Sequence, residues 1–316
     1  MENEVQKKEN KNREKYILPA SILIAAVIIG GAFFYTTKLK TLVKQGQVST
    51  SPGKKETAGE KETVEIDENL IIPQEGAELP VVWGDLGAKM VESGVIDSEK
   101  FEAIYSQRGG LDDEMKKILY GKGNGGIKIT PQNSGFLLNV FWALGLGNKN
   151  DILEKGPMTD SQYGGAENFA STGGWSAMKG ENVMDHYSRH QFIALTAEQQ
   201  QLVERVSKGI YRPCCGNSTY FPDCNHGMAM LGFLELMASQ GVSEEEMYKI
   251  ALLVNSYWFP DTYLTIAKYL KVKGSSFENT DPKEILGPNY SSGSGYRAIL
   301  QEVTPAEPSG GGGCGV

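Results

Sequence analysis

A long uncharged apolar run near the start stands apart from the rest of the chain. From Tyr16 to Tyr35 no residue carries a formal charge, and most are Ile, Ala, Val, Leu, Phe or Gly. Twenty residues at about 1.5 Å each span about 30 Å, the thickness of the hydrocarbon core of a bilayer. The pattern predicts a single N-terminal transmembrane helix over residues 16–35. Its length favours an uncleaved anchor over a cleaved signal peptide or a buried core helix.

Residues 76–303 instead carry apolar positions at helical spacing. Two capping-box patterns, Thr196 to Gln199 and Ser243 to Glu246, each precede such a stretch. The same periodicity predicts further helices at 84–93, 98–107, 112–120, 133–145 and 260–271. Few strands are indicated, the best at 126–130, and Gly-rich connections lie at 121–126 and 164–180. These residues are therefore predicted to form one mainly α, multi-helix globular domain with Gly-rich loops.

Polar segments separate this domain from the anchor and extend beyond it. Residues 1–15 form a basic N-terminal tail, 36–75 a charged linker too poor in apolar residues to fold, and 304–316 a Gly-rich tail. Five Lys or Arg residues precede the apolar run and three follow it closely. Because basic residues favour the cytoplasmic side, we expect a single-pass protein of the cell membrane with its domain outside the cytoplasm.

Composition narrows the classes of partner. The 316 residues carry a formal net charge of -8, with 40% hydrophobic residues, and the sequence pI is about 5.2. A general nucleic-acid binder needs a basic face, so no nucleic-acid partner is expected. The membrane, contacted through 16–35, is the one partner that the sequence predicts, and protein partners stay unknown. Four cysteines are too few for a disulfide scaffold of this length.

The rare residues are concentrated in one stretch. All three histidines and three of the four cysteines lie within the 41 residues from His186 to His226. Asp223 is a good N-cap for a helix running to about Ser239, which would place Cys224 and His226 in its first turn. A helix N-terminus stabilises a thiolate, so a thiolate and an imidazole would be offered together.

This concentration predicts a metal site. The preferred ligands are Cys214, Cys215, Cys224 and His226, because three thiolates and an imidazole suit zinc or copper(I). His186 and His190 are reserve ligands: in a helix their spacing would put both rings on one face, with Asp185 orienting a ring. Met228 and Met230 could be thioether ligands for copper, but core filling is the commoner role of such methionines. The predicted function is thus a membrane-anchored extracytoplasmic metal-binding protein.

Other interpretations of the same residues remain open. Cys224 could serve a thiol-exchange or Cys–His enzyme, or it could pair with Cys214 or Cys215 in a structural disulfide without metal. No G-x-S-x-G, H-E-x-x-H or P-loop pattern occurs, so the sequence does not establish an enzyme. Glu235 is expected to face solvent or to be paired. Cys314, in the glycine tail, is expected to be exposed, either as an intermolecular or incidental thiol or as an arm that visits the cysteine site.

Overall fold

The computed structural model describes residues 65–303, which fall within one compact unit. The basic tail 1–15, the anchor 16–35, the linker up to residue 64 and the tail 304–316 with Cys314 lie outside the described residues. Within residues 65–303, no helix combines the length and apolar character needed to cross a bilayer. The predicted membrane span therefore stays a prediction.

The described residues form two strands and fourteen α-helices, which confirms the mainly α prediction. The strands are β1 (Ala77–Gly84) and β2 (Asn124–Ile129). The helices are α1 (Glu68–Ile71), α2 (Leu86–Ser93), α3 (Ser98–Ser106), α4 (Asp113–Tyr120), α5 (Ser134–Gly147), α6 (Asp151–Lys155), α7 (Ala170–Gly173), α8 (Ala197–Gly209), α9 (Asn225–Ser239), α10 (Glu244–Trp258), α11 (Pro260–Val272), α12 (Pro282–Ile285), α13 (Pro288–Ser291) and α14 (Gly293–Ile299). Single 3-10 turns occupy Pro157–Thr159, Ser161–Tyr163, Ala166–Asn168 and Val183–Asp185.

Helices α5 and α9 form the centre of the domain. Nearly every residue of both is buried, as expected for helices that are apolar on all sides. They touch backbone to backbone at two glycines: a Cβ on Gly145 would lie 2.1 Å from the Met228 carbonyl oxygen, and one on Gly232 would lie 2.5 Å from Gly145 N. Phe141 and Phe233 stack beside this crossing with ring centroids 4.8 Å apart. A larger side chain at either glycine would force the helices apart.

The strands form a two-stranded antiparallel sheet with a register shift between Leu79 and Val82. The sequence predicted a strand near β2, but it did not predict β1. Alternate residues of β1, such as Leu79 and Trp83, face the core. Pro80 weakens this signal because proline cannot donate to a ladder, yet an edge strand tolerates it.

The predicted helix starts are mostly confirmed. Thr196 and Gln199 form a complete capping box at the start of α8. At α10, the Ser243 hydroxyl accepts a hydrogen bond from the backbone of Glu246. The prediction at α9 is wrong by one residue: the N-cap is Cys224, and Asp223 lies before it. The Asp223 carboxylate accepts instead from Arg212 and Asn217, so it has another role.

Candidate metal centre

A short hairpin-like loop connects α8 to α9 and carries the cysteines. Thr219 N donates to the Ile210 carbonyl at 2.8 Å, and Tyr211 forms an isolated antiparallel bridge with Ser218. The tip of the loop is hydrogen-bonded to α14: Gly293 N donates to the Cys215 carbonyl at 2.7 Å. Because the chain turns back on itself, residues ten apart in sequence lie side by side.

Arg212 occupies the inside of this loop. Its side chain is 2% exposed and donates to four acceptors. Nε donates to Cys224 Sγ at 3.0 Å and Nη1 to the Asn217 carbonyl at 3.0 Å. Nη2 donates to the Phe221 carbonyl at 3.0 Å and to Asp223 Oδ1 at 2.5 Å. The buried charge is therefore paired and hydrogen-bonded, and it holds the loop, the Asp223 carboxylate and the Cys224 sulfur in one arrangement.

The sequence interpretation gave Arg212 no role. Its only signal was its position, two residues before Cys214. Burial of a guanidinium is unusual without partners, and here most of the partners are backbone carbonyls and side chains of the same loop. A sequence pattern of charges and apolar residues does not reveal such local partners.

The sulfur atoms form a cluster around Cys224. One group comprises Cys214 Sγ, Cys224 Sγ and a ring nitrogen of His226, all within 4.8 Å of one another. The other comprises Cys215 Sγ, a carboxylate oxygen of Asp223 and Cys224 Sγ within the same limit. Cys214 Sγ and Cys224 Sγ are 3.6 Å apart. The four preferred ligands thus come from one small region, and Cys224 is common to both groups.

The surroundings of Cys224 favour its thiolate. Hydrogen bonds from the Cys214 and Cys215 thiols, the charge of Arg212 and a hydrogen bond with His226 hold its pKa well below the usual value, although burial opposes them. Cys215 behaves in the opposite way. A hydrogen bond with Cys214 lowers the pKa of Cys215, but the contact with Cys224, burial and the negative charge of Cys224 outweigh it and raise that pKa to about 11. Of these two sulfurs, Cys224 therefore favours the thiolate form and Cys215 the thiol form.

His226 presents its ring from the first turn of α9, as predicted. The residue is buried, and its ring centroid lies 4.3 Å from that of Phe259 and 6.0 Å from that of Trp258. Both aromatic rings pack against the imidazole. A buried, oriented imidazole next to a thiolate is a preformed donor pair.

His186 and His190 form a separate pair. Residues 186–190 are not helical: they follow the 3-10 turn Val183–Asp185, so the condition for both rings to share a helical face is not met. His186 Nδ1 and His190 Nε2 are 3.1 Å apart, and His186 Nε2 lies 3.0 Å from the Lys179 carbonyl oxygen. Asp185 accepts from Asn182. Among the described residues neither histidine belongs to the two groups around Cys224. Their role as reserve ligands stays a prediction.

The pairing also assigns the tautomers of the two rings. Since His186 Nε2 faces a carbonyl oxygen, it carries the proton, and His186 Nδ1 then accepts from His190 Nε2. Burial, followed by the charge of His186, lowers the pKa of His190.

Three further side chains of α9, Glu235, Met228 and Met230, are buried. Glu235 does not face solvent: it is fully buried, and its oxygens accept from Asn148 Nδ2 at 2.7 Å and Asn150 Nδ2 at 2.6 Å. Burial raises its pKa well above the ordinary value, with the two amides acting against that shift. Met228 and Met230 are buried in the core, in agreement with core filling.

No protein-family model, no curated protein and no solved structure matches this chain. The function of this protein is therefore inferred from the residues of the site.

Proposed function

We propose that this protein binds one thiophilic metal ion at Cys214, Cys215, Cys224 and His226. The observation that carries the proposal is the 3.6 Å separation of Cys214 Sγ and Cys224 Sγ, with a His226 nitrogen within 4.8 Å of both. Two sulfurs at about 2.3 Å from a tetrahedral ion lie about 3.8 Å apart. The two thiols are thus already spaced as ligands of one ion.

The rest of the donor set supports the same conclusion. Cys224 favours its thiolate, the form that binds metal. Cys215 Sγ is within reach of the Cys224 sulfur and supplies the fourth donor once its proton is lost. Three sulfurs and one imidazole fit zinc or copper(I), whereas a site for magnesium or calcium would consist of oxygen atoms.

Metal content and thiol reactivity test this proposal together. We expect the full-length chain, purified anaerobically, to carry about one zinc or copper per chain by elemental analysis. The three thiols at 214, 215 and 224 should react with a thiol reagent only after a chelator is added. A metal-free chain whose thiols all react without chelator, or which contains a stable disulfide, would overturn the proposal.

Matched variants locate the site. Cys224→Ser should abolish metal binding because Cys224 belongs to both groups of donors, and His190→Gln should leave it unchanged because that ring pairs with His186. Circular dichroism of each variant checks that the fold is retained. Stoichiometric metal in folded Cys224→Ser would place the ion elsewhere.

We further propose that the site is displayed outside the cytoplasm by a single membrane anchor at residues 16–35. The support is the charge-free apolar run and the greater number of basic residues before it than after it. Protease added to intact cells or spheroplasts should degrade the domain of residues 76–303. Full protection of that domain, with digestion after lysis, would reverse the topology.

A further inference from the structure

We propose that, when metal is absent, Cys214 and Cys224 react with a disulfide substrate and close a bridge between them, leaving Cys215 as a thiol. The substrate class is an accessible disulfide of a small thiol or an extended peptide. This inference rests on the proposed function only because the bridge and the metal would use the same two sulfurs, those of Cys214 and Cys224. It adds a thiol–disulfide exchange activity to the metal site.

Distance and access single out this pair. The two sulfurs are 3.6 Å apart, and a disulfide needs about 2.05 Å, so side-chain rotation must close about 1.5 Å. Cys214 is exposed, whereas Cys224 is partly buried. An incoming disulfide therefore meets the Cys214 sulfur first. Arg212 Nε, 3.0 Å from Cys224 Sγ, holds the second sulfur in place behind it.

Cys215 is less suited than Cys214 or Cys224 to forming the bridge. Its sulfur is turned toward the Asn217 carbonyl and Asp223 Oδ1, at 3.8 Å each. Its backbone carbonyl is fastened to Gly293 N of α14. A bridge between adjacent Cys214 and Cys215 is disfavoured, since neighbouring α-carbons are about 3.8 Å apart and disulfides usually need about 4.4 Å or more.

The reaction balances without an additional oxidant. Cys214 passes its proton to the neighbouring Cys224 thiolate and attacks one sulfur of the substrate, the substrate S–S bond breaks, and one substrate thiolate leaves. Cys224 gives that proton to the departed thiolate, then attacks Cys214 Sγ as a thiolate and expels the second substrate thiolate. Two cysteine thiols are oxidised to one disulfide, and the substrate disulfide is reduced to two thiols.

Metal and bridge exclude each other because both use the same two sulfurs. A thiolate bound to an ion has its lone pair engaged, and a bridged sulfur has no thiolate to offer. With metal at about 100 times its Kd, about 1% of sites would be free, so bridge formation should slow about 100-fold.

The test uses the full-length chain carrying Cys314→Ser, so that the thiols at 214, 215 and 224 are the ones counted. After reduction and chelation, it is exposed to oxidised glutathione, quenched with an alkylating reagent and analysed by mass spectrometry. We expect one intramolecular bridge and one alkylated thiol. Cys215→Ser should still form the bridge and leave no alkylated thiol, and Cys224→Ser should stop at one glutathione adduct on Cys214.

Specific outcomes overturn the proposal. They are no bridge in the parent chain, loss of the bridge in Cys215→Ser, or an unchanged bridge in Cys214→Ser. If Zn²⁺ or Cu⁺ is bound at stoichiometry but does not slow the reaction, the exclusion of metal by the bridge is wrong. If no metal binds and the bridge still forms, the proposed metal function fails while the exchange reaction stands.

Discussion

The guanidinium of Arg212 packs directly on the α-carbon of Gly227 in the first turn of α9. A β-carbon on Gly227 would lie 2.6 Å from both Arg212 Cζ and Nη2. The guanidinium can therefore reach Cys224 and Asp223 only because residue 227 has no side chain. This contact joins the buried charge of the loop to the helix that carries His226.

Gly227→Ala should destabilise the protein despite alanine's higher helix propensity. The added methyl group must displace the guanidinium, and overpacking of this kind costs about 1–3 kcal/mol. Urea unfolding of the full-length chain, followed by tryptophan fluorescence, measures the change. Gly135→Ala is the matched control, since nothing lies within 4 Å of a Cβ there, and it should be neutral or stabilising by up to about 1 kcal/mol. Equal effects of the two substitutions would contradict the contact.

Arg212→Gln should be strongly destabilising. It removes the charged donor shared by the Cys224 sulfur, the Asp223 carboxylate and two carbonyls, and breaking a buried pair costs about 3–5 kcal/mol. Arg205→Gln removes an exposed partner of Glu244, 2.8 Å away, and should cost at most about 1 kcal/mol. The denaturant midpoints of unfolding of the two variants are compared. Similar midpoints would show that the Arg212 side chain does not stabilise the loop.

Glu235 should make stability depend on pH. Its pKa is raised in the folded state, so the folded protein holds this proton more tightly than the unfolded chain does. The resulting stabilisation is complete below the unfolded pKa of about 4.3 and is lost as pH rises through the folded pKa. The stability difference between the parent and Glu235→Gln should therefore shift against the parent by about 1.4 kcal/mol per pH unit across that window.

The measurement is urea unfolding of both proteins over a series of pH values. Comparing the two proteins removes the contribution of the other carboxylates, which are common to both. If the free energies of unfolding of the two proteins change in parallel with pH, Glu235 takes up no extra proton in the folded state.

Thr219→Val should stabilise the cysteine loop. Thr219 is fully buried, and among residues 65–303 its hydroxyl is one of three buried side-chain oxygens without a hydrogen-bond partner. Replacing the hydroxyl with a methyl group removes the cost of burying it, about 1 kcal/mol or more. Thr219→Ser keeps the hydroxyl, loses the methyl group and should be destabilising. Thermal unfolding compares them, and destabilisation by valine would indicate a partner for the hydroxyl, such as a bound water.

The sequence by itself determined the local elements. Thr196 and Ser243 start their helices because each hydroxyl accepts a hydrogen bond from the backbone N–H three residues later. Both partners of this bond lie in the same short segment of sequence. Cys224 and His226 lie together at the start of α9 because two residues of separation leave them on the same turn. Such features depend on neighbours within a few positions, so they can be predicted from the local sequence.

Only the tertiary structure decided which distant residues meet. Cys214 reaches Cys224 because Arg212 is buried among carbonyls of the loop, and Glu235 is buried because Asn148 and Asn150 supply two amide donors from another segment. His186 and His190 pair with each other rather than join the cysteines, because their segment is a turn and not a helix. These outcomes depend on hydrogen bonds within an irregular loop or turn and, for Glu235, between segments far apart in the chain. A one-dimensional pattern of polar and apolar residues does not specify those partners.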